Sequence, residues 1–477
     1  MRKAVLLTFL FLLIAFYAIV PKTMDIEIMS IVLTIIAFST VLFLTKKEQV
    51  YELKGQFLKH SYLFIFGFLI VHFQLYLDFA LGYIDRSISF IWVNQSVVLK
   101  SMILSSIGLI SFFLGYLVYK KKFRYVTKEP QIKKGNDTSV KFLTYLSTVV
   151  LLIYFYTVNP LYLLGFYGSE DMGVTATYME LLFNLLIFAI IIQTSRSLRD
   201  QNKVPANFLE YVRFMNYHLF ILLAFYLISV IVSGNRGPLM TYGVCYISGY
   251  FFVKRSKLTL KKGLTYIIIC GFFINILGVV RNLDKTLSFA EKVVMSLTGN
   301  EKDARTSSLP LTAELASSVR TLHHALDYVP QKHDFLYGRF QFQKVTVVLP
   351  FFNVFNPIIF QDNSNKYGNS SSFITWIRQG DNPASGDGTS CIADFYLDFG
   401  LFGVLFGMFA FGYFIRSAEI NMYTVNKPGL LLHIFIIVYL CSAFYIPRSS
   451  VLFDLRNVVW IFLILIFNKN IINKVRH

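Results

Sequence analysis

The feature that most constrains this chain is a series of apolar runs, each about 17–25 residues long, the length a helix needs to cross roughly 30 Å of hydrocarbon. They fall at 4–20, 26–44, 61–79, 98–118, 140–158, 178–194, 214–233, 237–253, 263–280, 391–415, 429–447 and 450–468. Composition agrees, with 55% hydrophobic and 15% charged residues, where an average soluble domain carries about 25% charged. The expected fold is an all-α polytopic membrane protein with about twelve transmembrane helices and one large external loop. Residues 1–281 form a bundle of spans 1 to 9, residues 282–390 the external loop with amphipathic helices, and residues 391–477 spans 10 to 12. Two spans are the weakest: 237–253 is short, and 450–468 contains Asp454 and Arg456. The run after Met1-Arg2-Lys3 has no clear small-x-small cleavage site before Pro21-Lys22, so it reads as an uncleaved anchor.

A net charge of +18 raises the question of nucleic acid, but the basic residues are in the wrong places for it. Most of the 45 Lys and Arg sit in short segments between apolar runs, notably 45–60, 120–141, 195–213 and 254–262. Alternate connections are rich and poor in them, which puts the rich segments and both termini on the cytoplasmic side. The loop from Asn282 to Ser390 then lies outside. The cysteines Cys245, Cys270, Cys391 and Cys441 sit in or beside apolar runs and form no CxxC pair, so they read as small apolar residues. No Walker A, HExxH or nucleophile-elbow motif occurs, which argues against ATP hydrolysis and zinc chemistry and leaves no metal or cofactor expected.

Charge at the membrane boundary is costly, so arginines that persist there usually face a polar site. Arg236 in Ser233-Gly-Asn-Arg-Gly237, Arg281 at the end of span 9, and Arg448 in Ile446-Pro-Arg448 all fall at external span ends. That is the side where basic residues are otherwise sparse. Planar guanidinium groups suit phosphate oxygens, and the alternative is that they snorkel as helix-end anchors. Arg456 falls a turn or two deeper.

Within the loop, Leu311, Leu315, Val319, Leu322, Leu326 and Val329 recur at helical spacing, with Pro310 suited to the first turn. That helix would carry Glu314, Ser317, Ser318 and Thr321 on one polar stripe and Arg320, His323 and Asp327 on another. Glu314 can serve as a general base, and His323 or His324 as a proton carrier; the competing reading is an ordinary solvated face. Residues 345–360 are apolar but broken by Pro350, Asn353, Asn356 and Pro357, too short to span and suited to the interface. Asp394 and Asp398 share a helical face, explained by structural hydrogen bonding as well as by chemistry. Gly403 and Gly407 form a GxxxG pair whose default role is helix packing.

Four patches then resemble the Wzy-type O-antigen and capsule repeat-unit polymerases, with enterobacterial common antigen polymerases as relatives. They are Ser233–Gly237 followed one span later by Arg281; Glu314–Pro330 with Tyr337-Gly-Arg-Phe340 and Pro350–Pro357; Phe373-Ile-Thr-Trp376 through Gly388-Thr-Ser390 to Tyr396–Gly400; and Pro447-Arg448. They cover residues 230–460, and the earlier spans match in hydropathy only. The loop arginines do not form the paired Arg-rich motifs of some members. The resemblance implies a GT-C-like polymerase or ligase architecture in a bacterial inner membrane. It also implies a glycosyltransferase that moves a growing glycan from undecaprenyl diphosphate onto a lipid-linked repeat unit at the external face; with only Asp25 in the first external loop, a metal-independent mechanism is expected. Glu314, Arg236 and Arg281 would be catalytic. Arg320, His323, Arg339, Arg378 and Arg448 would contact substrate or diphosphate. The bilayer and a chain-length regulator are the other implied partners, with no nucleic acid. The alternatives are an O-antigen ligase-like transferase and a twelve-span lipid-linked sugar flippase. Transporters usually show two similar halves, which a long loop after span 9 does not allow.

Overall fold

The structure, a computed structural model, describes residues 1–48, 50, 53–87, 92–120, 137–163, 172–215, 217–233, 237–254, 257–259, 261, 263, 265, 291, 307–309, 312–349, 352–360, 364–424 and 428–475. Among them the regular structure is entirely helical. The first eight long helices are α1 (Arg2–Ile19), α2 (Ile26–Leu44), α3 (His60–Ala80), α4 (Gln95–Val118), α5 (Asp137–Thr157), α6 (Val174–Asp200), α7 (Tyr217–Ser233) and α8 (Gly237–Lys254). The loop contributes α9 (Arg320–Tyr328), α10 (Arg339–Thr346) and α11 (Ser370–Gln379), and the chain closes with α12 (Cys391–Thr424), α13 (Leu430–Ser442) and α14 (Leu455–Val475). Among the described residues, α1 to α6 and α12 are long and apolar enough to cross a membrane, and α7 and α13 are shorter apolar helices. Of the run 263–280, only residues 263 and 265 are described.

Start signals explain several helix ends. Asp25 accepts from the backbone N–H of Glu27 and Ile28 to cap α2, Asn94 caps α4 at Ser96, and Asn369 caps α11 at Ser372. The last helix starts later than the apolar run suggested, at Leu455, because Ile446–Arg448 winds as a 3₁₀ turn and Asp454, bonded by Asn457 at 3.1 Å, precedes the first helical turn.

The centre of the bundle is α4, whose residues are buried on every face from Val97 to Tyr116 except Lys100. A helix apolar all round belongs inside such a bundle. Its main partner is α12, with α1, α2 and α3 around the remainder. Lipid tails are as apolar as leucine, so close packing rather than the hydrophobic effect holds these helices together. Glycine makes that approach possible: a Cβ at Gly115 would run into the Phe409 carbonyl, and one at Gly412 into the Phe112 carbonyl.

The run 391–415 does not form one straight span. Gly400 adopts φ 60° and ψ −144°, breaking α12 into an arm before it and a longer arm after it. The two arms fold against each other, so that both Ile392 and Val404 reach Gly108 of α4. Gly403 and Gly407 pack not on another span but on Phe395 of the preceding arm.

Opposite ends of the bundle gather different charges. At one end Glu48 pairs with Lys59 at 3.1 Å and Arg416 at 2.9 Å, while Tyr116 donates to Glu419 at 2.5 Å. At the other end the long loop seats on α3 and α4: Ser307 donates to Asp78 at 2.5 Å, Thr312 to Gln74 at 2.7 Å, and Asn94 to Asp327 at 2.6 Å. Glu48 and Lys59, from the segment 45–60 assigned by charge to the cytoplasmic side, thus gather at one end with Arg416 of α12.

Candidate functional site

The site is built on the loop, where α9 and α11 lie over the arm of α12 that precedes Gly400, its outer arm. The expected apolar face of the first helix forms. Val319, Leu322, Leu326 and Val329 are buried and Leu315 half-buried, while Leu311 and Pro310 lie outside the described residues. The helix is not continuous: Ala313–Ala316 is one α turn, Ser317–Val319 a 3₁₀ turn, and only then does α9 begin. Ser317 and Thr321 hydroxyls return to backbone carbonyls of Glu314 and Ser318 at 2.7 and 2.8 Å. Such back-bonding competes with the regular ladder.

Asp387 is the hub. Its two carboxylate oxygens accept from Arg320 at 3.2 Å and from Arg378 at 2.7 Å, and Gln379 adds a bond at 2.7 Å. Its own N–H donates to the Thr375 hydroxyl at 3.0 Å. Arg448 approaches from the 3₁₀ turn beside α3 and stands 3.9 Å from Glu314. It is close enough to Arg320 to act on its protonation: burial, with Arg378 and Arg448 nearby, pulls Arg320 below its ordinary pKa, and Asp387 opposes them. Three guanidinium groups and two carboxylates thus meet here. His324, on the same helix, is half-buried. Burial pushes its pKa down to about 4, Arg320 and Arg378 push the same way, and Asp387 opposes, so the ring is neutral near pH 7. The arrangement can hold an anion and offers both a carboxylate and a neutral imidazole to a proton.

The sequence-predicted residues divide accordingly. Glu314, Arg320, Arg378 and Arg448 come together. His323, next to His324, turns the other way: it is fully buried, its Nε2 lies 2.9 Å from the Tyr76 hydroxyl, and Tyr76 bonds Ser101 at 3.0 Å between α3 and α4. Arg339 starts α10 over the rings of Tyr367 and Phe360, at 4.4 and 4.8 Å. Arg236 and Arg281 lie outside the described residues. Asp394 accepts from Ser370 at 2.6 Å, Gln341 at 2.8 Å and Ser450 at 3.0 Å, and pairs with Lys344. Asp398 accepts from the N–H groups of Phe340 and Gln341, capping the start of α10. These two carboxylates tie the loop to α12, the structural alternative of the two readings.

Sequence reasoning missed Asp387. It sits in Asn382-Pro-Ala-Ser-Gly-Asp-Gly388, a stretch whose composition reads as plain loop. The available signal was an acidic residue beside the Gly388-Thr-Ser390 patch, with Arg378 nine positions before it.

Compared with known proteins, residues 3–475 match the family described as O-antigen polysaccharide polymerase Wzy. No curated protein and no solved structure matches the chain.

Proposed function

From the premise that this chain belongs to the O-antigen polysaccharide polymerase Wzy family, we propose that the cluster around Asp387 binds the diphosphate of a lipid-linked glycan during chain transfer. Membership makes the protein an integral inner-membrane polymerase of the glycosyltransferase type, acting on lipid-linked oligosaccharide. The finer reading names undecaprenyl diphosphate as the carrier and the external face as the place. The acceptor hydroxyl attacks the anomeric carbon of the growing chain, its proton passing to Glu314, with neutral His324 as the runner-up base. The bond from that carbon to the diphosphate oxygen breaks, and the leaving diphosphate takes the electron pair. Charge grows on the diphosphate in this step, and guanidinium groups fixed nearby stabilise it electrostatically. Arg320, Arg378 and Arg448 fill that role, and Arg236 and Arg281 are assigned to it on sequence position. The reaction is proposed to need no metal, and a chain-length regulator remains a proposed partner.

The observation that carries the reading is convergence: Glu314, Arg320, Arg378, Asp387 and Arg448, scattered along the chain, meet at one place on the loop. The test is polymerisation of synthetic lipid-linked repeat units by purified protein in nanodiscs. A charged hydrogen bond to phosphate is worth about 1.5–3 kcal/mol. Arg378→Lys and Arg448→Lys keep the charge and lose the planar fork, so each should slow polymerisation at least about tenfold, one decade being ~1.4 kcal/mol. Ala at either position should cost more, and Lys22→Ala should change little. Normal rates in both Lys variants would remove the cluster from the reaction.

A further inference from the structure

We infer that the described residues 339–349 and 352–360 of the long loop lie in the headgroup region of the bilayer, with one face against lipid. This inference does not depend on the assignment of the diphosphate site. The segment is two-sided. Its polar groups turn inward: Gln341 and Lys344 bond Asp394, the Thr346 hydroxyl bonds Asn356 at 2.9 Å, and Phe340, Gln343 and Thr346 are buried. The other side presents Phe342, Val345, Leu349, Phe352, Phe355 and Ile358, the last 74% exposed. Lys344, the one charged residue between 339 and 361, is the group held inward by Asp394.

Two observations say what covers this face. A soluble surface seldom leaves so many large apolar side chains together without interspersed charge. The face is also continuous with surfaces that meet lipid tails in any membrane-spanning bundle. The Trp460 indole of α14 donates to the Val348 carbonyl at 3.1 Å, and farther along the same helix Leu463 and Phe467 point outward. On the other flank Gly338 abuts the Phe399 ring of α12, followed by the outward Phe402 and Phe406. An apolar segment seated between two lipid-facing helices, too short and too broken to span, fits the boundary between headgroups and acyl chains. A consequence follows for the loop. Asp398 caps α10 and Asp394 holds Lys344, so the seated segment fixes the height of the loop over the outer arm of α12.

The experiment places a bimane-labelled cysteine at Ile358→Cys, at Phe352→Cys and, as a water-exposed reference in the same loop, at Ser385→Cys. The full-length protein is examined in nanodiscs whose lipids carry a nitroxide at acyl carbon 5. Quenching at Ile358 and Phe352 should exceed that at Ser385 several-fold, and water-soluble iodide should show the reverse order. Equal nitroxide quenching at all three sites would overturn the assignment. So would shielding from iodide without nitroxide quenching, accompanied by disulfide cross-linking between copies at Ile358→Cys, which would give the face to a second copy of the chain.

Discussion

Asp387 holds Arg320 on one carboxylate oxygen and Arg378 on the other, so replacing it by Asn leaves two guanidinium groups facing each other without their shared counter-charge. Removing one partner of a fully buried pair costs about 3–5 kcal/mol. Arg320 and Arg378 keep some access to water, so for Asp387→Asn a loss on the order of 2 kcal/mol is expected in thermal unfolding. Polymerisation should fall with it, and Asp387→Glu should restore part of both. His324 gives a pH dependence. Its folded pKa is depressed to about 4 from an ordinary value of 6.5, so the unfolded chain binds more protons between those values. Stability therefore falls as pH drops from about 6.5 toward 4, and the drop should be shallower in His324→Asn. Melting curves in detergent across that range would decide it; identical slopes in the two proteins would refute the assignment. Arg236 and Arg281 carry their own test: Lys substitution should lower polymerisation at least about tenfold while the protein stays monodisperse. At this scale the sequence offered residue types and spacings. It marked Glu314, Arg320, Arg378 and Arg448 as candidates, yet could not tell which of the adjacent His323 and His324 turns into the bundle, because one residue of helical rotation separates the bundle interior from the loop surface.

The helix α12 carries the most consequential local departure from the expected pattern. Its run of apolar residues predicts an uninterrupted span, and hydropathy contains no term for a reversal. The reversal is made by Gly400, whose φ of 60° and ψ of −144° fall in a region essentially confined to glycine. A Cβ there would also stand 3.0 Å from the Phe335 ring. Gly400→Ala should destabilise by roughly 1–3 kcal/mol and displace the outer arm that carries Asp394 and Asp398. Gly243→Ala, in α8 with open space around it, should be nearly silent in the same assay. If both behave alike in thermal unfolding, the backbone of α12 is not what holds the loop in place. The loop helix shows the converse. Its apolar spacing at 319, 322, 326 and 329 was legible in the sequence and is the buried face, because period 3.6 is a property of the helix itself. Its interruption at Ser317–Val319 was not, since local hydroxyl bonding decides it.

For the whole molecule, charge alternation between spans makes a topology that can be measured. Cysteine at Ser385 should react with a membrane-impermeant maleimide from outside intact cells, and cysteine at Lys133 should react only after permeabilisation. Labelling of Lys133→Cys from outside would invert the orientation and with it the proposed location of the diphosphate site. Polymerisation in excess EDTA should proceed at the rate seen without it. Loss of activity restored by magnesium or manganese would show that the arginines do not carry the diphosphate charge alone.

What the sequence determined by itself was the solvent and the class. Runs long enough to cross a bilayer, with the loops sorted by charge, follow from the cost of unpaired backbone and charge in hydrocarbon, and that cost is read residue by residue along the chain. Helix positions from α1 to α8 and a resemblance to the polymerase family were available at that level. Tertiary structure alone decided that Asp387 gathers Arg320 and Arg378, that Arg448 meets Glu314, and that α12 turns back on itself at Gly400. Those facts depend on contacts between segments far apart in sequence, fixed by glycine-mediated close packing of α4 with α12 and by the carboxylates that tie the loop to them. A linear pattern states which side of a helix is apolar; which neighbour that side meets is settled only when the whole bundle packs.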